Sequence, residues 1–253
     1  MLTDILLLVT GVIVGTMNAI AGGGMLLGFP VLLAIGLPAL VANATSNIII
    51  LPGQLASAYG YRAYLKKVPR VYLWLLPPCA IGAGIGALIL RHTSSNNFEQ
   101  LVPELILFAV ILFAFQPLLH FHVHKQLKTK KVDNGPLLYI GLALLPLAIY
   151  GGYFGAGFGF VMLAFLGFTN LNDVHKMNAL KNLATSTMAI VSIFCLFSAR
   201  LIDWRHGLVM AIGTTIGGYC GSRLAQRIPS QTIRVIVITI GLVSAVYLFL
   251  RQY

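Results

Sequence analysis

The sequence predicts an all-α polytopic membrane protein built from two homologous repeats, and three observations predict it. Hydrophobic residues make up 58% of the 253 and charged residues 9%, where a soluble domain carries about a quarter charged. No charge falls between Asp4 and Arg62, or between Asp133 and Asp173, and each run far exceeds the roughly 20 apolar residues that cross a bilayer once. The stretch Ala21 to Asn47 also recurs 135 positions later: Ala21, Gly22, Gly24, Asn43, Ala44 and Asn47 reappear as Ala156, Gly157, Gly159, Asn178, Ala179 and Asn182. The same offset pairs Arg70 with Arg205, Leu73 with Leu208, Gly82 with Gly217 and Gly86 with Gly221. Such a repeat in so apolar a chain is the pattern of two related bundles meeting about a pseudo-twofold axis.

Each repeat reads as a glycine-broken or re-entrant segment followed by three spanning helices. Residues 5–37 are uncharged and broken at Gly22-Gly23-Gly24, Gly28-Phe29-Pro30 and Gly36-Leu37-Pro38. As helix they would span roughly 50 Å, too long for one crossing of the hydrocarbon and short for two, which suits one span plus a half-helix. Residues 40–61 form a second span, ended by Arg62, Lys66, Lys67 and Arg70, the last a loop anchor like Arg205. Residues 71–90 form a third, with a small-residue face at Gly82, Gly86 and Ala87 suited to close packing, and 101–119 a fourth, with Glu104 near one end. His120 to Asn134, with Lys125, Lys128, Lys130 and Lys131, is a polar linker that the positive-inside rule places in the cytoplasm. The second half repeats the plan with a broken segment at 136–169 and spans at 178–199, 206–222 and 233–250.

The chain thus divides into a first repeat (1–120), a basic linker (121–135) and a second repeat (136–253). Ala19-Ile20-Ala21 imitates a signal-peptidase site, but Asp4 and the lack of a basic leader mark the first run as retained structure. If each broken segment returns to its own side, the halves are inverted, and the loop lysines and arginines then gather on one side slightly better than in a parallel arrangement.

The net charge of +11 does not point to nucleic acid, because the 17 Lys and Arg sit in short clusters between apolar runs; a lipid bilayer with anionic headgroups explains them better. Cys79, Cys195 and Cys220 are widely spaced within apolar runs and form no disulfide or metal framework. His120, His122 and His124 lack a fourth ligand and read as a solvated loop, so no metal is expected. Ser–His–Asp, HExxH and paired-carboxylate patterns are absent, and Gly155-Ala156-Gly157-Phe158-Gly159 has neither the strand nor the Gly-Lys-Ser/Thr of a nucleotide loop. An enzyme and a bound cofactor are therefore not expected.

The candidate substrate-binding residues are Gly22, Gly23, Gly24, Gly155, Gly157 and Gly159 at the breaks, with Asn43, Thr45, Ser46, Asn47, Asn178, Lys181 and Asn182 on the helices that follow. Glycine runs free backbone groups that lipid cannot satisfy, and N–H groups at a half-helix start favour an anion; the alternative is close packing of helices through small residues. Asn43 and Asn47, like Asn178 and Asn182, are four apart and share a helix face. Carboxamides are expensive in hydrocarbon, so they face either a substrate path or neighbouring helices that they hydrogen-bond. Gln54 extends that polar face in the first half, and Thr185, Ser186 and Thr187 in the second. Lys181 stands between the repeated asparagines where the first half has Ser46: buried it would suit an anion, or else it snorkels to the cytoplasmic interface.

The glycine-rich break followed by Ala42-Asn43-Ala44-Thr45-Ser46-Asn47, with the later Gly217-Gly218-Tyr219-Cys220-Gly221-Ser222-Arg223-Leu224-Ala225, resembles the TauE/SafE family of membrane permeases, the sulfite exporter or 4-toluene sulfonate uptake family. Ala179-Leu180-Lys181 departs from the Gly-Thr-Ser-like element usual there. The resemblance implies a carrier of small organic or sulfur-containing anions such as sulfite, sulfoacetate or sulfonates, in the cytoplasmic membrane of a bacterium or archaeon. The expectation is a secondary transporter working by alternating access; a channel-like anion pore is the alternative. A coupling proton or sodium ion and a homo-oligomer stay open as partners.

Overall fold

Long apolar runs that must satisfy every backbone group inside lipid can only be helical, and in the computed structural model every regular element among the described residues, 1–108, 110–111, 136–167, 169, 171, 173–225, 239, 243 and 246, is a helix. The expected linker with His120, His122, His124 and its lysines, the end of the fourth span and nearly all of the last one lie outside them. Helix α1 is Leu2–Ile20, α2 Met25–Ala34, α3 Ala39–Gly60 and α4 the single turn Arg62–Leu65. A 3₁₀ segment, Arg70–Leu75, leads into α5, Leu76–His92. Helix α6 follows from residue 95 through 108, then come α7, Pro136–Tyr153; α8, Phe158–Gly167; α9, Val174–Phe197; and α10, Trp204–Leu224. Leu2–Ile20, Ala39–Gly60, Arg70–His92 and Val174–Phe197 are each long and apolar enough to cross a membrane.

The boundaries have local causes. Gly22 ends the α1 segment at φ +98°, a left-handed conformation that costs other L-residues about 1–2 kcal/mol. Ten-residue α2 then rises only about 15 Å, half the hydrocarbon thickness. The third span, expected from residue 71, starts as a 3₁₀ turn because Pro77 and Pro78 occupy the first turn of α5, where a missing N–H costs nothing. The fourth starts at residue 95 rather than 101. Asp173 caps α9 by accepting from the His175 and Lys176 N–H groups, and Asp203 caps α10 by accepting from His206 N–H.

Apolar side chains cover the outside as well as the core. Trp74, Phe194, Phe197 and Ile212 are exposed on the outer face, while Thr45, Lys181, Asn182 and Thr214 are fully buried. Lipid is as apolar as leucine, so close backbone approach rather than hydrophobicity selects helix partners. Added Cβ atoms show how close: one at Gly11 or Gly15 of α1 would collide with the carbonyls of Met210 or Thr214 of α10, and one at Gly82 of α5 would sit 2.5 Å from the Ala148 methyl of α7.

These contacts fix directions. Gly11 and Gly15 meet Met210 and Thr214 in ascending order, as Gly207, Gly53 and Gly60 meet Thr45, Thr214 and Ser222, so α1, α3 and α10 run the same way. Since α1 and α3 are parallel, the chain between them doubles back through α2 and returns to the side where α1 began. In contrast α3 and α9 are antiparallel: Tyr61 and Tyr64, just past α3, pack on His175 at the start of α9, while Thr45 near the start of α3 accepts from the N–H of Asp203, just past the end of α9. The long first helix of each half thus packs on the other half, α1 on α10 and α7 on α5, with α3 and α9 crossing between them.

Candidate functional site

The two glycine breaks meet. A Cβ on Gly22 would lie 2.7 Å from the backbone of Gly159, and one on Gly159 2.6 Å from Gly22 Cα, so the main chains touch with no room for any side chain. Beside this contact lies a narrow cavity of about 30 Å³, room for two or three waters at about 10–15 Å³ each. Both halves line it: Asn18, Gly22 and Met25 from the first break with Asn47, Ile50 and Gln54 of α3, then Gly151, Gly155, Phe158 and Gly159 from the second break with Thr185, Met188 and Ala189 of α9.

Several residues of the lining carry polar groups without a partner. Among the described residues, the N–H groups of Met25 and Gly159 make no hydrogen bond, being first-turn donors of half-helices. Gly24 N–H is taken by Asn18 Oδ1 at 2.8 Å. The Gln54 side chain is buried with its Oε1 unpartnered. At the offset of 135, Ile50 corresponds to Thr185 and Gln54 to Ala189, so the two walls are alike in position but unequal in polarity.

Of the expected residues, Gly22, Asn47, Gly155 and Gly159 line this cavity; the others stand behind it. Gly23 packs on the Phe160 ring and Gly24 on the Val14 carbonyl, while Gly157 serves the turn with φ +79°. Asn43 Nδ2 donates 2.7 Å to the Tyr153 carbonyl, and Ser46 Oγ donates to Asn43 O. Asn182 Nδ2 donates 2.9 Å to Ser57 Oγ, leaving its Oδ1 buried and unpartnered. Lys181 does not snorkel. Its side chain is 0% exposed, with Nζ donating 2.7 Å to Asn18 O and 2.9 Å to Asn178 Oδ1. A helix face pointing into the contact between halves has no path by which four methylenes could reach the interface.

Asn18, Met25, Phe158 and Met188 were not legible as site residues. Asn18 carried one signal, a carboxamide in the uncharged first run, but its counterpart at the offset is Tyr153. Gln54 and Thr185 were visible as extensions of the polar faces. A second hollow, a surface cleft of about 470 Å³ beside Gly36 and Pro38, carries the carboxylate of Glu99, which repels an anion.

The chain is similar to known proteins over nearly its whole length. The family model described as "Sulfite exporter TauE/SafE" matches residues 7–248. The chain is 30% identical over 242 residues to a probable membrane transporter protein of Haemophilus influenzae, covering 92% of this chain and 89% of that one. It is 27% identical over 238 residues to the probable membrane transporter protein YfcA of Escherichia coli K12, covering 93% and 86%, and 26% identical over 248 residues to the probable membrane transporter protein ORF9 of a Sinorhizobium species, covering 96% and 90%. No solved structure matches the chain significantly.

Proposed function

The chain belongs to the TauE/SafE sulfite exporter family of multi-pass inner-membrane transporters, and from that premise we propose that it is a secondary transporter of a small organic or sulfur-containing anion, such as sulfite, sulfoacetate or a sulfonate. Its two halves are inverted repeats that rock about the central cavity. The antiparallel α3 and α9, occupying equivalent positions in the two halves, support the inversion. The observation that carries the reading is the meeting of the two helix breaks at Gly22 and Gly159 beside a cavity that both halves line.

The unpaired N–H groups of Met25 and Gly159 are donors for the anion's oxygens, and of the Gln54 carboxamide only the NH2 can join them, since its buried Oε1 accepts. Half-helix N-termini add a positive end of the dipole at the same place. A cavity with room for only two or three waters is too small for a sulfonate, so the halves must part before cargo enters, as alternating access requires. The side bearing Arg62, Lys66, Lys67, Arg70 and Lys176 faces the cytoplasm.

The test is flux in proteoliposomes with sulfite, sulfonates, sulfate and carboxylates, with and without a pH gradient. Saturable flux and counterflow of one of the first two classes are expected. Flux that never saturates and shows no counterflow would make the protein a pore; no flux of any of these anions would remove the proposal.

A further inference from the structure

Resting on the transporter reading above, we infer that Lys181 is a tethered stand-in for a cation: its ammonium fills, between the C-terminal end of α1 and Asn178, the place of a sodium ion, so the carrier works without sodium. The last four carbonyls of a helix have no partner within it and lie at the negative end of its dipole, and such ends at a break are where transporters of this general build hold sodium. Asn18 O belongs to that set in α1, which ends at Ile20. Lys181 Nζ meets it at 2.7 Å and Asn178 Oδ1 at 2.9 Å, two neutral oxygen ligands of the kind a hard monovalent cation takes.

Among the described residues no carboxylate balances this charge. The ion pairs among the described residues join the N-terminus to Asp4 and His206 to Asp203, both elsewhere. An unbalanced ammonium at 0% exposure is costly and marks function. Asn18 also lines the cavity, so an anion arriving there supplies the missing negative charge.

The other half shows that packing alone does not call for the lysine. The carbonyl 135 positions after Asn18 is that of Tyr153, and Asn43 satisfies it directly through Nδ2 at 2.7 Å. The residue equivalent to Lys181 is Ser46, whose hydroxyl turns back to its own helix at Asn43 O. A carboxamide by itself therefore ties α3 to the end of α7, whereas an ammonium has been inserted into the corresponding tie between α9 and α1.

The test uses the full chain. Flux of sulfite and of a sulfonate is measured in proteoliposomes with sodium, choline or ethylammonium chloride, and melting of the purified protein is followed in the same salts. Wild-type flux and melting are expected to be equal in sodium and choline. Lys181→Met, which keeps the volume without the charge, should lose on the order of tenfold in flux in every salt, what one charge-assisted hydrogen bond carries. Lys181→Ala, which leaves room, should be slow in choline, recover severalfold in sodium or ethylammonium, and melt higher in either, since a ligand bound by the folded state raises its stability. Sodium-dependent wild-type flux, a fully active Lys181→Met, or a Lys181→Ala indifferent to both cations would overturn the inference. If Lys181→Ala does not fold, Lys181→Met and the wild type decide. If the wild type carries neither anion the transporter reading fails, and the melting of Lys181→Ala still decides whether the cation site exists.

Discussion

Gly159→Ala tests the contact on which the site is built. The new methyl would sit 2.6 Å from both Gly22 Cα and Gly22 O, where ordinary contact begins at about 3.4 Å. The obstacle is main chain in a tight turn and cannot swing aside, so the two breaks must part by roughly 1 Å. Overpacking of this kind costs about 1–3 kcal/mol, and it falls where the halves pivot. Flux of the transported anion in proteoliposomes is expected to drop on the order of tenfold, with a lower melting temperature read by fluorescence or size exclusion. Gly36→Ala is the comparison: Gly36 also has a positive φ, +94°, but no atom lies within 4 Å of its added Cβ. It should lose about 1–2 kcal/mol of stability from backbone strain and retain its flux. A Gly159→Ala protein that melts and transports like the wild type would refute the meeting of the two breaks.

Asn43→Ala removes the 2.7 Å bond to the Tyr153 carbonyl, a tie worth about 0.6–2 kcal/mol within a membrane; it and Asn178→Ala should insert normally and show reduced flux, and if both transport at full rate the asparagines are packing residues. Gly217→Leu would drive a side chain into the Val12 carbonyl on α1, so the protein should fail to elute as a single species in size exclusion; a monodisperse variant would contradict the α1–α10 contact. Asp203→Ala deletes the cap of α10 and should cost about 1 kcal/mol in thermal melting. Burial pushes the Asp203 carboxyl up, but hydrogen bonds from the His206 backbone and side chain and the charge of His206 outweigh it and leave it below its ordinary value. Its contribution is therefore present above the usual carboxylate range and lost as pH falls through the lowered value, so wild type and variant should converge in melting temperature on acidification; a gap that persists in acid would reject this assignment.

Class, helix lengths and the places where helices break were legible in the sequence because they depend on local quantities. Uncharged runs set by lipid thickness, prolines at Pro77 and Pro78, and glycines recurring at an offset of 135 need no knowledge of partners. The asparagine faces were legible for the same reason, since a spacing of four places two side chains on one side of a helix. What each face touches was not. Asn47 reaches the cavity while Asn43, one turn away, is spent on Tyr153 O.

Only the tertiary structure decided that α1 packs on α10 rather than on its own half, that Gly22 touches Gly159, and that Lys181 turns inward to Asn18 O instead of reaching the interface. The physical reason is that apolar surface facing lipid chooses no partner. Helices in a bilayer are sorted by how closely two main chains can approach and by which buried polar groups find each other, and both depend on residues distant in the chain.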